Sequence, residues 1–182
     1  YGQLMIDDVN NNKIGIQAGA KYFDVAGIKN LYVQTEYNQV NAYSYSKSTA
    51  FQSFSHYNQA LAHPVGANFT EIVGLINYRF KDFFACAKLN LINYGKDKFG
   101  YYAGNTVIRD YLPSDMQANT MQVKATTQLI DIKLGYLVNR ASNLNIAIGA
   151  ILRDHKSDFN PLQTNYIYVS IGTAISNKYY DF

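Results

Sequence analysis

In the stretch Lys13-Ile14-Gly15-Ile16-Gln17-Ala18-Gly19-Ala20-Lys21-Tyr22, Ile14, Ile16, Ala18, Ala20 and Tyr22 alternate with Gly15, Gln17, Gly19 and Lys21. Successive side chains of a β-strand point to opposite faces, so this period of two predicts a strand with one apolar face and one polar or bare face. Such a strand suits lipid or a protein core on one side and water on the other.

The same period recurs along the chain. Leu31, Val33, Thr35 and Tyr37 oppose Gln34, Glu36 and Asn38 within residues 31–40. Residues 71–80 place Ile72, Gly74, Ile76, Tyr78 and Phe80 on one side. After Lys81 and Asp82, residues 83–94 set Ala85, Ala87, Leu89 and Leu91 against Cys86, Lys88 and Asn90, so the two segments read as a tight hairpin. Ile130, Ile132, Leu134, Tyr136 and Val138 face Leu144, Ile146, Ile148, Ala150 and Leu152 across a turn at residues 139–142. In the last strand, residues 166–176, Ile167, Val169, Ile171 and Ile175 oppose Tyr168, Ser170, Gly172 and Ala174. With a partial strand at residues 1–6 there are eight, and the expected class is all-β and antiparallel, in one unit over residues 1–182.

Composition fits that class. Charged residues make up 16% of the 182, against about 25% in an average soluble domain. Seventeen Tyr and ten Phe with no Trp, among many amides and hydroxyls, describe strands joined by polar, uncharged loops. No stretch approaches the roughly 18 apolar residues of a transmembrane helix, so a membrane would be met by strands. The net charge is +3, and the sixteen Lys and Arg are scattered instead of forming a basic stripe, so nucleic acid is not an expected partner. The single cysteine, Cys86, allows no intrachain disulfide and no thiolate metal cluster, and reads as a buried structural thiol.

The connections sort by length. Short turns fall at residues 24–29, 81–82 and 139–142, whereas residues 7–12, 41–70, 95–125 and 154–165 form the other set, two of them long. Outer-membrane barrels pair short periplasmic turns with long extracellular loops, and a soluble sandwich has no reason to do so. Tyr22, Phe23, Tyr78, Phe80, Phe83, Phe84 and Tyr136 all lie near the short turns, where an aromatic girdle would meet the membrane interface. The closing Lys178-Tyr179-Tyr180-Asp181-Phe182 ends on an aromatic residue, as the assembly signal of such barrels does. The expected fold is therefore an antiparallel outer-membrane β-barrel, with the loops outside and the C-terminus periplasmic. Its partners would include outer-membrane lipid and, through the strand ending at Phe182, the barrel-assembly machinery.

The first long loop carries Ser55-His56-Tyr57-Asn58-Gln59-Ala60-Leu61-Ala62-His63-Pro64-Val65-Gly66-Ala67-Asn68-Phe69. This resembles the capsule-assembly protein family of the Wzi type, in the Bacteroidetes branch that includes the gliding-motility protein RemB. Tyr1-Gly2-Gln3-Leu4-Met5-Ile6-Asp7-Asp8, Gly19-Ala20-Lys21-Tyr22-Phe23, Leu134-Gly135-Tyr136-Leu137-Val138-Asn139 and the closing Asn177 to Phe182 fit the same branch. The resemblance implies a larger barrel of which this chain is the C-terminal portion, opening at Tyr1 within a segment that follows earlier strands. It also implies a role in holding capsular or extracellular polysaccharide at the cell surface. A gliding-associated surface adhesin and a passive pore are the alternatives.

Sugar binding needs aromatic faces for pyranose rings and amides or hydroxyls for their hydroxyl groups. Tyr43, Tyr45, His56, Tyr57, Asn58, Gln59 and His63 supply these types in the first long loop, as do Tyr102, Asn105, Arg109, Asp110 and Tyr111 in the second. Arg109 suits the carboxylate of an acidic sugar. The other reading of these residues is that they pack the loops together over the barrel mouth. Ser55, His56 and His63 have the types of a catalytic pair or zinc site but no carboxylate at ligand spacing, so no catalytic residue, metal or cofactor is expected. Asp7, Asp8, Asn10, Asn11 and Asn12, and separately Asp154, Asp158 and Asn160, lack the glycine and terminal Glu of a calcium loop and read as solvated turns. Gln17, Lys21, Gln34, Glu36, Asn38, Arg79, Lys88, Asp131, Lys133 and Arg153 would face inward.

Overall fold

The computed structural model describes residues 1–47, 49, 52–57, 59–61, 63–96, 102–108, 123–158 and 160–174. The strands are β1 (Gly2–Asp8), β2 (Lys13–Phe23), β3 (Leu31–Val40), a short hairpin of β4 (Ser55–His56) and β5 (Gln59–Ala60), then β6 (Phe69–Phe80), β7 (Phe83–Lys96), β8 (Val123–Asn139), β9 (Leu144–Ser157) and β10 (Leu162–Gly172). All but β4 and β5 join one antiparallel sheet in the order β1-β2-β3-β6-β7-β8-β9-β10. The class is all-β, as the alternation predicts. Among the described residues, β1 and β10 do not pair, so the sheet is open and these eight strands do not close a barrel by themselves. No helix among these residues is long and apolar enough to cross a membrane.

Register carries the alternation from strand to strand. The row Tyr22, Val33, Ile76, Ala87, Ile132, Ala150, Ile167 crosses seven strands through direct partners. On this face, from β2 to β10, the charged residues are Lys124, Asp154 and Lys156, all toward the long connections. The charge-free zone runs from Ile72 to Phe80 in β6, Phe83 to Leu91 in β7, Ile130 to Val138 in β8 and Leu144 to Leu152 in β9. Eight steps of about 3.3 Å make that zone about 26 Å long along each strand. Beyond it lies the polar row Gln39, Thr70, Asn93, Thr126, Lys156, preceded in β8 and β9 by Gln128 and Asp154. Its large side chains, among them Ile132, Leu134, Ile148 and Ile167, are exposed and no described element covers them.

The opposite face carries Lys13, Lys21, Glu36, Glu71, Arg79, Lys88, Lys96, Asp131, Lys133 and Arg153. Three rings there lie over glycines of the adjacent strand: Tyr1 over Gly19, Phe84 over Gly135 and Tyr168 over Gly149. A Cβ on those glycines would meet ring atoms at 2.5, 2.1 and 2.4 Å, so each ring fills the space that a side chain would need. The two tyrosines reach one strand further. Tyr1, beside β1, donates its hydroxyl to Glu36 in β3, and Tyr168 in β10 donates to Asp131 in β8 at 2.9 Å. Phe84 and Phe23, expected in an outward girdle, are on this face instead, Phe23 packing on Tyr32 at 4.9 Å. Tyr22, Tyr78, Phe80, Phe83 and Tyr136 are on the apolar face as expected. Cys86 is half-buried on the polar face, so it is not the buried thiol expected.

At one end of the sheet the connections are residues 24–30, 81–82 and 140–143, with Lys81 in the left-handed region at φ 55°. Arg140 pairs with Asp82 there at 2.7 Å and ties two turns together. At the other end of the sheet β3 leads into the connection 41–68 and β7 into the connection 97–122, and the connections 9–12 and 158–161 have four residues each, so only the two inner connections are long. β8 begins at Val123 and β9 continues to Ser157, into the connections expected at residues 95–125 and 154–165. Beyond the apolar zone the alternation inverts: the face that is apolar in the zone carries Lys124, Thr126 and Lys156, while Val123 and Ala125 on the opposite face are buried. A small core of Val40, Ala67 and Phe69, packed by Tyr45, Val65, Ile92 and Tyr94, sits at this end on the polar face.

Candidate functional site: a stitched loop cap with an exposed hairpin

The two long connections are held together by backbone-directed amides and hydroxyls. Tyr43 donates its N–H to Gly104 O at 2.8 Å and its hydroxyl to Tyr102 O at 2.7 Å. Asn68 Nδ2 donates to Ala103 O, and Asn105 Nδ2 to both Val65 O and Ala67 O, each at 2.7 Å. Buried backbone carbonyls need such partners, and side chains supply them where no ladder can. Gly66 and Gly104 adopt φ of 88° and 67°, and a Cβ would fall 2.2 Å from Asn105 O and 2.7 Å from Tyr43 N respectively. Only glycine permits that approach.

The sheet anchors this cap from below. Lys13, 1% exposed, donates from Nζ to Ser46 O at 2.8 Å, and Lys47 pairs with Asp7 at 2.5 Å. Glu71, 4% exposed, accepts from Asn38 Nδ2 at 2.8 Å and Asn90 Nδ2 at 2.9 Å, and faces His63 Nε2 at 3.1 Å. Val65 N–H donates to His63 Nδ1 at 3.2 Å, which leaves the proton on Nε2 to donate to Glu71. The His63 ring also stacks on Phe69 at 4.4 Å. Both its nitrogens are occupied, so it has no base to offer a nucleophile.

The hairpin β4–β5 stands out from this cap. Tyr57, at its tip with φ 47°, is 89% exposed, and the His56 ring meets it edge-on at 4.4 Å. Phe54 is exposed while stacking on Tyr45 at 5.8 Å, and its N–H donates to Tyr45 O at 2.8 Å. Burial, and behind it the Asp7 carboxylate, raise the Tyr45 hydroxyl above its ordinary range.

The expected ligand residues therefore divide. His56, Tyr57 and Gln59 are exposed and grouped on the hairpin. Tyr43, His63 and Asn105 hold the cap together, Tyr45 joins the small core, and the Tyr102 carbonyl receives the Tyr43 hydroxyl. Asn58, Arg109, Asp110 and Tyr111 lie outside the described residues, as does Phe182. The turn carboxylates are engaged internally: Asp8 accepts from the Asn10 and Asn11 N–H groups, and Asp154 pairs with Lys156 at 3.4 Å. Among the described residues no group of three or more His, Cys, Asp or Glu could hold a metal ion.

Lys13, Glu71 and Asn68 are functional parts of the cap that the sequence pattern did not single out. Lys13 and Glu71 fall on the polar face by parity, which is the one signal available. Comparison with protein-family models, with curated proteins and with solved structures gave no match.

Proposed function

We propose that the sheet is part of the wall of an outer-membrane β-barrel whose loop cap holds capsular or other extracellular polysaccharide at the cell surface. The observation that carries this reading is the charge-free face. Nine-residue zones of alternating apolar side chains match the roughly 9–11 residues of a membrane-spanning strand, and a polar row bounds them on the long-loop side. In water that face would be an apolar patch far larger than a few hundred Å². The hairpin bearing His56, Tyr57 and Gln59 is on the outer side of that polar row, where glycan would be met. The resemblance to the Wzi-type family supports the same role, and the gliding adhesin is a variant of it using the same surface. The cap reaches down to Glu71, which favours holding over conduction.

Deleting residues 41–70 would remove Tyr43, His63 and Asn68 and unstitch the cap, so point variants are the sharper test. Replacing His56→Ala and Tyr57→Ala in the full-length protein is expected to release surface polysaccharide while barrel assembly, read from heat-modifiable mobility, stays intact. Full retention overturns the polysaccharide role. Recovery of the protein from envelopes without detergent overturns the membrane wall.

A further inference from the structure

Beneath the cap, on the polar face, runs a trough of about 600 Å³. Its roof comes from Val65 and Asn105, and its floor from Asn90, Tyr94 and Lys96 of β7 and Arg153 of β9. We infer that this trough is a second glycan site, one that takes a segment of acidic polysaccharide through the carboxylates of its sugars. The inference rests on the polysaccharide reading above and names the chemical class of the glycan.

Three observations carry it. Lys96 and Arg153 both line the trough, and neither forms an ion pair among the described residues. Of the carboxylates on the same face, Asp131 is bonded by the Tyr168 hydroxyl and Glu36 by the Tyr1 hydroxyl, while Glu71 accepts from Asn90 Nδ2 of the floor itself and faces His63. Two cationic side chains thus stand in the trough with no ion-pair partner among the described residues, and a guanidinium matches a carboxylate in a two-pronged geometry. Second, Asn90 Oδ1 is buried with no donor among the described residues, an acceptor that a sugar hydroxyl satisfies once the side chain turns toward the trough. Third, Tyr94 adds an aromatic surface of the kind that packs on pyranose rings.

Spacing argues for a chain and not a single sugar. Asn90 stands in the row of Arg153 through Leu129, and Lys96 is six residues further along β7. At 3.3 Å per residue the two cations belong to strand positions about 20 Å apart, a span that suits several linked sugars better than one. The volume is within the range of about 300–1,000 Å³ common for ligand sites.

The test uses the full chain in detergent with two probes of equal length, an oligogalacturonate and a neutral malto-oligosaccharide. The acidic probe is expected to bind more tightly, and to weaken as salt rises because exposed charges are screened within about 8 Å at physiological ionic strength. Arg153→Gln should weaken the acidic probe about tenfold, the loss of one charge-assisted bond, and leave the neutral one unchanged. Lys96→Gln should do the same to a smaller extent. Arg153→Lys, which keeps the charge but not the fork, should recover part of the loss. Equal binding of both probes, or an Arg153→Gln variant that binds the acidic probe as before while Tyr57→Ala does not, overturns the trough and leaves the polysaccharide role standing. No binding of either probe overturns both.

Discussion

Ile132 stands between Ala87 and Ala150 on one face of the sheet, while its chain neighbours Asp131 and Lys133 occupy the other. On that second face the Tyr168 hydroxyl donates to Asp131 at 2.9 Å, and Lys133 lies 6.0 Å from the centre of the Phe84 ring. The same β8 strand thus solves two different problems. Its polar face is stabilised by partners drawn from neighbouring strands, so each residue there is specified by what it meets. Its apolar face makes lateral contacts such as Tyr136 with Phe83 at 5.0 Å, but no described element covers it, and it is specified mainly by what it must not contain, which is charge. One face tolerates exchange among apolar types; the other tolerates charge but not a change of shape.

The largest test of this contrast is a charge on the wrong face. Ile132→Lys at mid-zone is expected to cost about 2–4 kcal/mol of stability in lipid, measured by urea unfolding in vesicles. Ser170→Lys, on the polar face of β10, should be close to neutral. Equal effects would remove the difference between the faces. A smaller, steric test reverses the order of sensitivity. Gly135→Ala drives a Cβ to 2.1 Å from Phe84 and is expected to cost about 1–3 kcal/mol. Gly74→Ala on the apolar face meets Leu89 at an ordinary 3.7 Å and should change stability by no more than about 0.5 kcal/mol.

The smallest effect lies outside both faces, at the turns. The Arg140 guanidinium holds the Asp82 carboxyl below its usual range. A carboxylate whose folded value is lowered stabilises the protein above its unfolded value, and that contribution fades as pH falls through the lowered folded value. Because the pair is exposed, Asp82→Asn should lower the melting temperature only slightly at neutral pH. In acid the variant and the parent should converge, and a gap that persists there would show that the pair acts through something other than charge.

Much of the sheet was legible because alternation is local. β3 begins and ends at the residues where the period of two does, and every residue expected to face inward stands on the polar face. Legibility stopped where the alternation inverts, with Lys124 and Lys156 on the face that is apolar in the zone and Val123 and Ala125 buried on the other, which is why the loop-end extensions of β8 and β9 were missed. The cap was hidden for another reason. Asn68 and Asn105 satisfy carbonyls 35 to 40 residues away, and nothing in their neighbourhood marks a long-range partner. Residue type alone therefore grouped Tyr43 and Asn105 with His56 and Tyr57, although the first two are used up in holding the cap and the last two are exposed on it. The edges that β1 and β10 leave unpaired among the described residues were likewise beyond alternation, which describes a strand but not what lies beside it.

The tyrosines beside those edges carry a consequence for how the sheet comes apart. An end strand normally frays by itself, since it loses only one ladder. Here Tyr1 and Tyr168 each cross a glycine and bond to the third strand inward. Peeling β1 or β10 away must therefore empty a glycine pocket and free a carboxylate two strands further in. Hydrogen exchange should register each border as a three-strand unit, with amides of β1 through β3, and of β8 through β10, opening together.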